Sequence, residues 1–595
     1  MKKAVFIFSV LFSVNAVIGQ IFVKNGSFIF DKGTVVYAKG NLELNTNSNF
    51  YLRNEGQFLQ GTTGSSTNTG DGKLSVFQEG TVNNFAYNYW CSPVGTATPL
   101  TSGNENFGIT LLNVPTTNVA STAATITGGY NGTSAAGALT ISNYWIFKFL
   151  SSATYSGWSH SYSISNIGAG EGFTMKGTSG SDATSVGETV TNNPGSAQRY
   201  DFRGKPNDGN IAVTVGTGNY TLTGNPYPSA LHVNAFLLDV ANSACTGISY
   251  YWEQKKTVNS HLLLSYQGGY GTYSPISLGS NGMYVPATYD TYNIDGTLNT
   301  TGSSSGLVIE RKYAPIGQGF MVKGLSNGTV VLKNTHRAFN KEGNFCQFER
   351  NSNALHNETV TPNLGVETIS QIRLNTIINN QYTRQIALGF IPEATDGVDR
   401  GIDAISPVDE SIPNDSYFFL DNNKYVIQGV NFDVNKRIPI GIKSTDNASF
   451  KFDASTIINF DTSQDIYIYD GQDSSYHDVK NGTYEVVLPT GVYNNRFELT
   501  FKNDALSVSN SIKQSVIVVQ NNTSQLLTVS NPNLLSIKSV ILFDITGKLL
   551  FNKSNFETKL SYEFSTASLS EGVYLVKILT NDGQSTGKKI IVSSK

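Results

Sequence analysis

Short apolar segments, separated by glycine, asparagine, serine and threonine, recur along almost the whole of this chain. Near the N-terminus they return every seven or eight residues, and near the C-terminus about every ten. No apolar pattern with the period of a helix extends beyond two or three turns. Segments of this length, bounded by turn-forming residues, are typical of strands in sandwiches and solenoids. The sequence therefore predicts an all-β protein.

Length and charge narrow the class further. A chain of 595 residues has room for about three to five domains, so we expect a multidomain protein. The formal net charge of −3 provides no basic field for a nucleic acid, which we therefore exclude as a partner. Only 14% of the residues are charged, whereas tyrosine and phenylalanine number 30 and 33. This composition is typical of extracellular β-rich proteins.

The start of the chain has the pattern of a secretory signal peptide. Residues 1–3 carry two lysines, residues 4–17 are apolar, and Gly19 supplies a small residue before a cleavage point. The apolar run is too short to span a membrane. We therefore predict that residues 1–19 are a signal peptide and that the mature chain has no transmembrane segment.

The end of the chain, residues 515–595, predicts a small antiparallel sandwich and contains three motifs in order. They centre on Asp544 to Lys548, on Gly572 to Tyr574 and on a closing apolar strand. The segment resembles the type A C-terminal sorting domain of the type IX secretion system, an immunoglobulin-like sandwich; the alternative is an ordinary terminal sandwich without a signal role. The motif residues that carry the resemblance are Asp544, Gly547, Lys548, Gly572, Tyr574, Lys588 and Lys589.

This resemblance implies a destination and partners. In that family the domain guides a folded protein across the outer membrane and is then removed by a cell-surface sortase. The sortase attaches the cargo to surface lipopolysaccharide or releases it. We therefore expect a protein that is secreted or attached to the outer face of the outer membrane, with the type IX machinery and its sortase as partners.

The middle of the chain contains further repeats. Residues 20–73 predict a short β-solenoid or meander that must stack on the neighbouring module, because such repeats cannot bury their faces alone. Residues 170–177 match residues 317–324, each running Gly-x-Gly-Phe to Lys-Gly, and in both halves a Pro motif and then a Tyr-Trp segment precede the match. We interpret residues 74–200 and 201–351 as two related β-rich modules. They resemble uncharacterised cargo proteins of the same secretion system.

The paired glycine motifs are not phosphate-binding loops. Strand-forming residues follow the glycines, whereas a phosphate loop opens a helix. A glycine-rich turn entering a hairpin, with glycines at positive φ, fits the pattern better. After a predicted linker at residues 351–361, seven short apolar runs in residues 362–503 predict a further β-sandwich.

Signals for chemistry are weak. The loop that contains Asp396, Asp399 and Asp403 is a candidate calcium site, because calcium binds six to eight oxygens; a hydrogen-bonded structural loop is the alternative. No histidine pair has a metal-ligand spacing. Glu171 and Glu253, beside aromatic residues, are the best candidates for a hydrolase site. The three cysteines predict either one disulfide or buried thiols.

Tandem aromatic residues offer a second kind of site. Trp90, Trp145 and Trp252 stand beside tyrosines and could stack on sugar rings, because their flat apolar faces carry a polar edge; alternatively they form the sandwich cores. We therefore predict a non-enzymatic surface protein, adhesin-like or scaffolding, without a cofactor other than a candidate calcium ion. The alternatives are a polysaccharide-binding protein or a hydrolase whose site is not visible in the sequence.

Overall fold

The structure is a computed structural model that describes residues 20–593 except 163, 188–189, 196, 294–296, 301–309, 344–345, 347, 349–367, 407–411, 504–515 and 582. The predicted signal peptide, residues 1–19, and the predicted linker at 351–361 lie outside the described residues. The chain forms two compact units, residues 1–471 with 477–499 and residues 472–476 with 500–595. The predicted all-β fold is confirmed. No helix among the described residues is long and apolar enough to cross a membrane.

The N-terminal segment is a short β-solenoid whose strands pair in parallel. Partners lie 21 to 24 residues apart, as in Ile21 with Leu42 and Asn49 with Lys73. Three short strands, each beginning about seven residues after the one before, complete one coil, which explains the short period in the sequence. The strands are β1 (Ile21–Val23), β2 (Phe28–Lys32), β3 (Val35–Ala38), β4 (Leu42–Leu44), β5 (Asn49–Arg53), β6 (Gln57–Gln60) and β7 (Lys73–Glu79).

The solenoid continues into the first module through one shared sheet, as its expected stacking requires. The strands of this module are β8 (Tyr87–Cys91), β9 (Val94–Gly95), β10 (Leu112–Pro115), β11 (Ser121–Ala123), β12 (Thr125–Thr127), β13 (Gly132–Ala135), β14 (Ala138–Ser142), β15 (Phe147–Phe149), β16 (Trp158–His160), β17 (Gly172–Lys176), β18 (Thr178–Gly180), β19 (Asp182–Ser185), β20 (Thr191–Asn193) and β21 (Arg199–Pro206). The shared sheet runs β11, β10, β21, β7, β5 and β2. Strand β21 crosses the predicted boundary between residues 200 and 201 and pairs with β7.

The second module contains a five-stranded sheet in the order β23, β31, β25, β26 and β27. Its strands are β22 (Ile211–Val215), β23 (Tyr220–Gly224), β24 (Ala230–His232), β25 (Cys245–Gln254), β26 (Gly268–Ser274), β27 (Met283–Val285), β28 (Thr291–Tyr292), β29 (Leu298–Thr300), β30 (Tyr313–Ala314), β31 (Gly319–Gly324), β32 (Gly328–Leu332) and β33 (Arg337–Ala338). The described helices are α1 (Val233–Leu238) and 3-10 turns at Ile109–Leu111, Asn143–Trp145, Tyr155–Gly157, Val240–Asn242, Leu263–Ser265 and Asn334–His336.

The same strand pairing occurs in each of the two modules. In the first, β17 pairs with β8 so that Gly172 faces Cys91. In the second, β31 pairs with β23 so that Gly319 faces Gly224. Cys91 stands two positions before Pro93, the proline of the first Pro motif, and Gly224 stands two positions before Pro226, that of the second. The register is therefore the same in both modules, and Tyr87 is equivalent to Tyr220.

The equivalent strands also contact one another reciprocally. A Cβ built on Gly172 would stand 2.7 Å from the carbonyl oxygen of Thr223, and one on Gly319 would stand 2.7 Å from the backbone nitrogen of Trp90. Thr223 and Trp90 occupy equivalent positions. The second glycine of each motif therefore permits close packing of two backbones. Positive φ belongs instead to the first glycine, +80° at Gly170 and +81° at residue 317.

The next sandwich along the chain has two sheets, in the orders β38, β35, β34, β40, β43 and β37, β36, β39, β44, β41. The strands of this part of the chain are β34 (Ser370–Ile378), β35 (Tyr382–Phe390), β36 (Asp415–Leu420), β37 (Asn423–Tyr425), β38 (Ile427–Val430), β39 (Arg437–Ser444), β40 (Ala448–Ile458), β41 (Tyr467–Asp470), β42 (Ser475–Asp478), β43 (Tyr484–Leu488) and β44 (Gly491–Thr500). All seven predicted runs overlap these strands, one of them spanning parts of β37 and β38, and the prediction missed β36, β40 and β42.

The C-terminal unit is a small two-sheet sandwich. Its strands are β45 (Ile517–Asn521), β46 (Leu526–Ser530), β47 (Ile537–Asp544), β48 (Leu549–Ser554), β49 (Ser561–Ser565), β50 (Gly572–Thr580) and β51 (Ser585–Val592). One sheet runs β45, β46, β49 and the other β48, β47, β50, β51. Leu527, Val540 and Val576, each 0% exposed, lie in the core. The alternation of buried and exposed positions along β46 and β50 produces this core.

Candidate ligand pocket

A pocket of about 290 Å³ opens between the equivalent strands of the two modules. Ten of its fifteen lining residues are aromatic. The first module supplies Tyr87, Tyr89, Phe147, Phe149, Ala153, Thr154, Tyr155, Trp158 and Thr174, and the second supplies Tyr220, Trp252, Leu263, Tyr266, Tyr270 and Met321. The size is near the lower end of the roughly 300–1,000 Å³ found for small-molecule sites. The pocket therefore suits one small ligand or the end of a longer one.

Residues at equivalent positions line the pocket from both sides. Tyr87 and Tyr220 occupy one pair of equivalent positions, and Thr174 and Met321 occupy another. All four line the pocket. It therefore lies where the equivalent strands of the two modules meet, and these strands contribute to both of its walls.

The described lining residues include no charged side chain. Their polar side-chain groups are hydroxyls and the indole N–H groups of Trp158 and Trp252. The hydroxyls of Tyr89 and Tyr270 lie 2.8 Å apart in a hydrogen bond. Trp158 and Tyr270 pack edge to face with Tyr89, at 5.9 Å and 6.3 Å between ring centres, whereas Trp252 lies parallel to it at 6.3 Å. Tyr155, which is 50% exposed, stands at the rim. The pocket thus presents flat apolar faces and a few neutral hydroxyl groups.

Behind this wall lies a buried lysine enclosed by aromatic rings. The ammonium nitrogen of Lys176 is 3.6 Å from the ring centre of Trp145 and 4.9 Å from those of Tyr87 and Tyr266. It donates hydrogen bonds to the Tyr266 hydroxyl and to Nδ1 of His261, the latter at 3.1 Å. Burial lowers the pKa of Lys176 to about 7 and that of His261 to about 4.

The three predicted stacking tryptophans have different places. Trp252 lines the pocket. Trp145 is 8% exposed and packs against Lys176 behind the pocket wall. Trp90 is 1% exposed and lies in the core, with its ring 4.7 Å from Phe348. The expectation that Trp90 could stack on a sugar is wrong, because protein rings already cover its faces.

The three aspartates of the candidate calcium loop are not assembled around a cation position. Asp396 pairs with Lys436. Asp399 accepts hydrogen bonds from Thr395, and Asp403 accepts from the backbone nitrogens of Asp399 and Gly429. Burial raises the pKa of Asp403 to about 7. No group of three or more metal-ligating side chains occurs among the described residues, so the geometry agrees with the structural loop and contradicts the calcium site.

The candidate hydrolase carboxylates are also held apart from the pocket. Glu171 pairs with Lys148 at 2.8 Å and accepts from the backbone nitrogen of Gly168. Glu253 contacts the hydroxyl of Tyr284 and is 2% exposed. Neither residue is among the pocket's lining. The cysteines are Cys91, Cys245 and Cys346, all buried and free, which confirms the alternative of buried thiols.

The predicted sorting motifs occupy turns and strands of the C-terminal unit. The carboxylate of Asp544 accepts hydrogen bonds from the backbone nitrogens of Thr546 and Lys548, both at 2.9 Å, and Gly547 has φ +85°. The Tyr574 hydroxyl donates to the carbonyl of Ser570. Gly572 starts β50, and the two lysines at 588 and 589 face Val576 and Leu575 in the register of β51 with β50. The first motif therefore closes the β47–β48 turn.

Several pocket residues were missed by the sequence reasoning. Tyr155 and Tyr270 line the pocket from a 3-10 turn and a strand, more than a hundred residues apart. Their neighbourhood depends on how the two modules pack, which the sequence pattern does not encode. Tyr87 and Tyr220 carried a usable signal, because each stands six residues before the proline of its Pro motif.

Comparison with known proteins adds family matches. The model of a family described as a domain of unknown function (DUF8693) matches residues 2–501. A second, also described as a domain of unknown function (DUF8694), matches residues 506–592. None of the curated proteins matches the chain.

Solved structures give weak likenesses. An immunoglobulin-like β-sandwich protein of the DUF3244 family from Bacteroides vulgatus is 15% identical, with coverage of 13% of this chain and 84% of its own and a TM-score of 0.13. The CupB2 chaperone of Pseudomonas aeruginosa is 8% identical, with coverage of 38% and 87% and a TM-score of 0.11. A polysaccharide lyase is 10% identical, with coverage of 38% and 40% and a TM-score of 0.12. Scores this low support no inference about this chain.

Proposed function

The chain belongs to the family of the domain of unknown function DUF8693, and we propose that it is a non-enzymatic, adhesin-like surface protein that binds the end of a neutral carbohydrate in the pocket between its two modules. One observation carries the proposal: ten of the fifteen lining residues are aromatic and none of the described ones is charged.

Aromatic walls of this kind match the chemistry of a sugar ring. The C–H faces of a pyranose are apolar, and its rim carries hydroxyl groups. Trp252 and Trp158 supply flat faces, and the hydroxyls of Tyr89 and Tyr270 can exchange their mutual hydrogen bond for bonds to the ligand. Stacking and a few hydroxyl contacts are enough to orient a ring without any charged partner.

The neutral lining also selects against other ligands. A carboxylate placed in this pocket would lose its hydration without gaining a cation among the described lining residues, which is costly. We therefore expect neutral sugars to bind and uronic acids to be rejected. Catalysis of glycoside hydrolysis needs two carboxylates across the scissile bond, and the described lining contains none, which supports a binding role.

A glycan array with the purified full-length chain tests the proposal. We expect binding to glycans with neutral terminal residues, accompanied by a change in tryptophan fluorescence, because two of the four tryptophans line the pocket. Trp252→Ala should weaken binding at least tenfold, whereas Trp252→Phe should retain part of it. Tyr162→Ala is the matched control, since Tyr162 is 60% exposed and outside the pocket. Equal binding by the Trp252→Ala variant, or none by the unaltered chain, would overturn the proposal.

We further propose that the C-terminal unit directs export through the type IX system and that the mature chain is secreted or held at the outer face of the outer membrane. The ordered motifs at Asp544, Gly547 and Tyr574 support this proposal. Deleting residues 515–595 should then leave the chain in the periplasm, as measured by cell fractionation. Normal surface delivery of the truncated chain would contradict it.

A further inference from the structure

A loop of the second module forms part of the pocket wall. Residues 255–267 connect β25 to β26, and they contribute Leu263 and Tyr266 to the lining. We refer to this segment as the 255–267 loop. Its contacts with the first module decide how firmly Leu263 and Tyr266 close the pocket.

Side chains of the first module hold the 255–267 loop at several points. Nε2 of His261 lies 2.8 Å from the side-chain oxygen of Asn131, and the ring of His261 stacks on Trp145 at 5.2 Å. Lys176 donates to both His261 and Tyr266. Lys176 thus hydrogen-bonds two different residues of this loop.

The surroundings of Lys176 contain no described carboxylate that would balance its charge. The titratable groups that face its ammonium are Tyr87 on β8 and His261 and Tyr266 on the loop, and the indole of Trp145 completes the enclosure. Burial lowers the pKa of His261 to about 4 and raises the pKa values of both tyrosines. Between about pH 5 and 9, Lys176 is therefore the member of this group that changes its charge.

We propose that Lys176 is a positioning residue for the ligand pocket: it fastens the 255–267 loop over the pocket, and the loss of its proton tightens both the closed loop and ligand binding. This inference rests on the proposed ligand site. The neutral amine still donates hydrogen bonds to the loop, and closing the loop over it no longer costs the free energy of burying a charge.

The linkage between proton binding and loop closure determines how closure depends on pH. With the loop open, Lys176 is hydrated and has an ordinary pKa near 10.5, whereas burial under the closed loop lowers its pKa to about 7. The open state therefore binds the proton more tightly. Closure is independent of pH below about 7 and becomes up to about tenfold more favourable for each pH unit above it.

Ligand binding at different pH values tests the positioning role. We expect the affinity for a neutral glycan identified on the array to rise severalfold or more between pH 6 and 8.5. Lys176→Met, which has similar length and no charge, should remove this dependence, and Lys176→Arg should bind weakly at both pH values. The matched control is Lys323→Met, because Lys323 occupies the equivalent position and its ammonium lies 5.2 Å from the ring centre of Tyr220, in the second module's own sheet.

A second measurement needs no ligand. Hydrogen exchange, corrected for intrinsic rates, should show that protection of the 255–267 amides rises with pH in the unaltered chain and in Lys323→Met but stays level in Lys176→Met. If no glycan binds at either pH, the proposed function fails while exchange still tests the loop. If glycans bind with the same affinity at both pH values and protection is level in every variant, the role of Lys176 is wrong. Should Lys176→Met fail to fold, the pH series of the unaltered chain and of Lys176→Arg decides the question.

Discussion

Gly319 lies so close to Trp90 that a Cβ on the glycine would stand 2.7 Å from the backbone nitrogen of the tryptophan. Backbone atoms cannot move aside to relieve this clash as the end of a flexible side chain can. We therefore expect Gly319→Ala to force the two modules apart and to lower the free energy of unfolding by about 1–3 kcal/mol.

Chemical denaturation measures that loss. Gly172→Ala should behave like Gly319→Ala, because a Cβ there would meet Leu222 and Thr223 at 2.7 Å. Gly128→Ala is the control, since nothing lies within 4 Å of the added carbon. If the three variants were equally stable, the close approach of the two modules would be wrong.

Trp90 and Trp252 should respond differently to truncation. Trp90→Ala empties a core site in which the ring is 1% exposed, and we expect a loss of about 3–5 kcal/mol of unfolding free energy. Trp252→Ala removes a pocket wall, so its stability loss should be smaller while glycan binding falls. Thermal melting and binding measured on both variants separate the two roles; a Trp90→Ala chain that is as stable as the unaltered one would contradict the core assignment.

Asp403 should make the first unit less stable as the pH rises. Burial raises its pKa in the folded chain to about 7, whereas an unfolded aspartate has a pKa near 3.9. The folded state therefore binds the proton more tightly, and the stability that this contributes is complete below about pH 4 and is lost as the pH rises through 7.

Melting curves between pH 4 and 8 check this sign. Between these pH values the free energy of unfolding should fall by at most about 4 kcal/mol. At pH 4 the melting temperature of Asp403→Asn should lie below that of the unaltered chain, because one of the two backbone N–H groups that donate to Asp403 loses its acceptor. This difference in melting temperature should shrink by pH 8. Parallel curves for the two proteins would show that Asp403 does not titrate in this range.

Calcium should leave the stability of the chain unchanged. The carboxylates of Asp396, Asp399 and Asp403 already have partners within the protein, and no described group of three ligands is assembled. We expect the same melting temperature with millimolar calcium as with a chelator. A calcium-dependent rise of more than about 2 °C would mean that the ion binds the folded chain and rearranges this loop.

The sequence predicted those parts of the fold that depend on local pattern. Alternation along strands and the short repeat before residue 73 indicated the all-β class and the solenoid, because each coil needs three short strands and turns. The matched glycine motifs revealed the duplication. The equivalence is incomplete, since the Tyr-Trp segment of the first module forms a 3-10 turn at Asn143–Trp145, whereas its counterpart lies within β25.

The candidate site was harder to predict, because burial of an aromatic residue depends on tertiary packing. Trp90 and Trp252 have similar local sequences, each preceded by tyrosines, yet one lies in the core and the other lines the pocket. Pairing of β8 with β17 places the Trp90 ring on the core face, beside Tyr200 and Phe202. No local pattern distinguishes these two outcomes.

The reciprocal packing of the two glycine motifs has a consequence for the symmetry of the pocket. When each of two similar partners contacts the other through the same surface, the arrangement is that of a homodimer with a two-fold axis. The two modules repeat this pattern within one chain. Their residues differ at equivalent positions, as at Thr174 and Met321, so the two walls of the pocket differ and the site can recognise a ligand that is not symmetric.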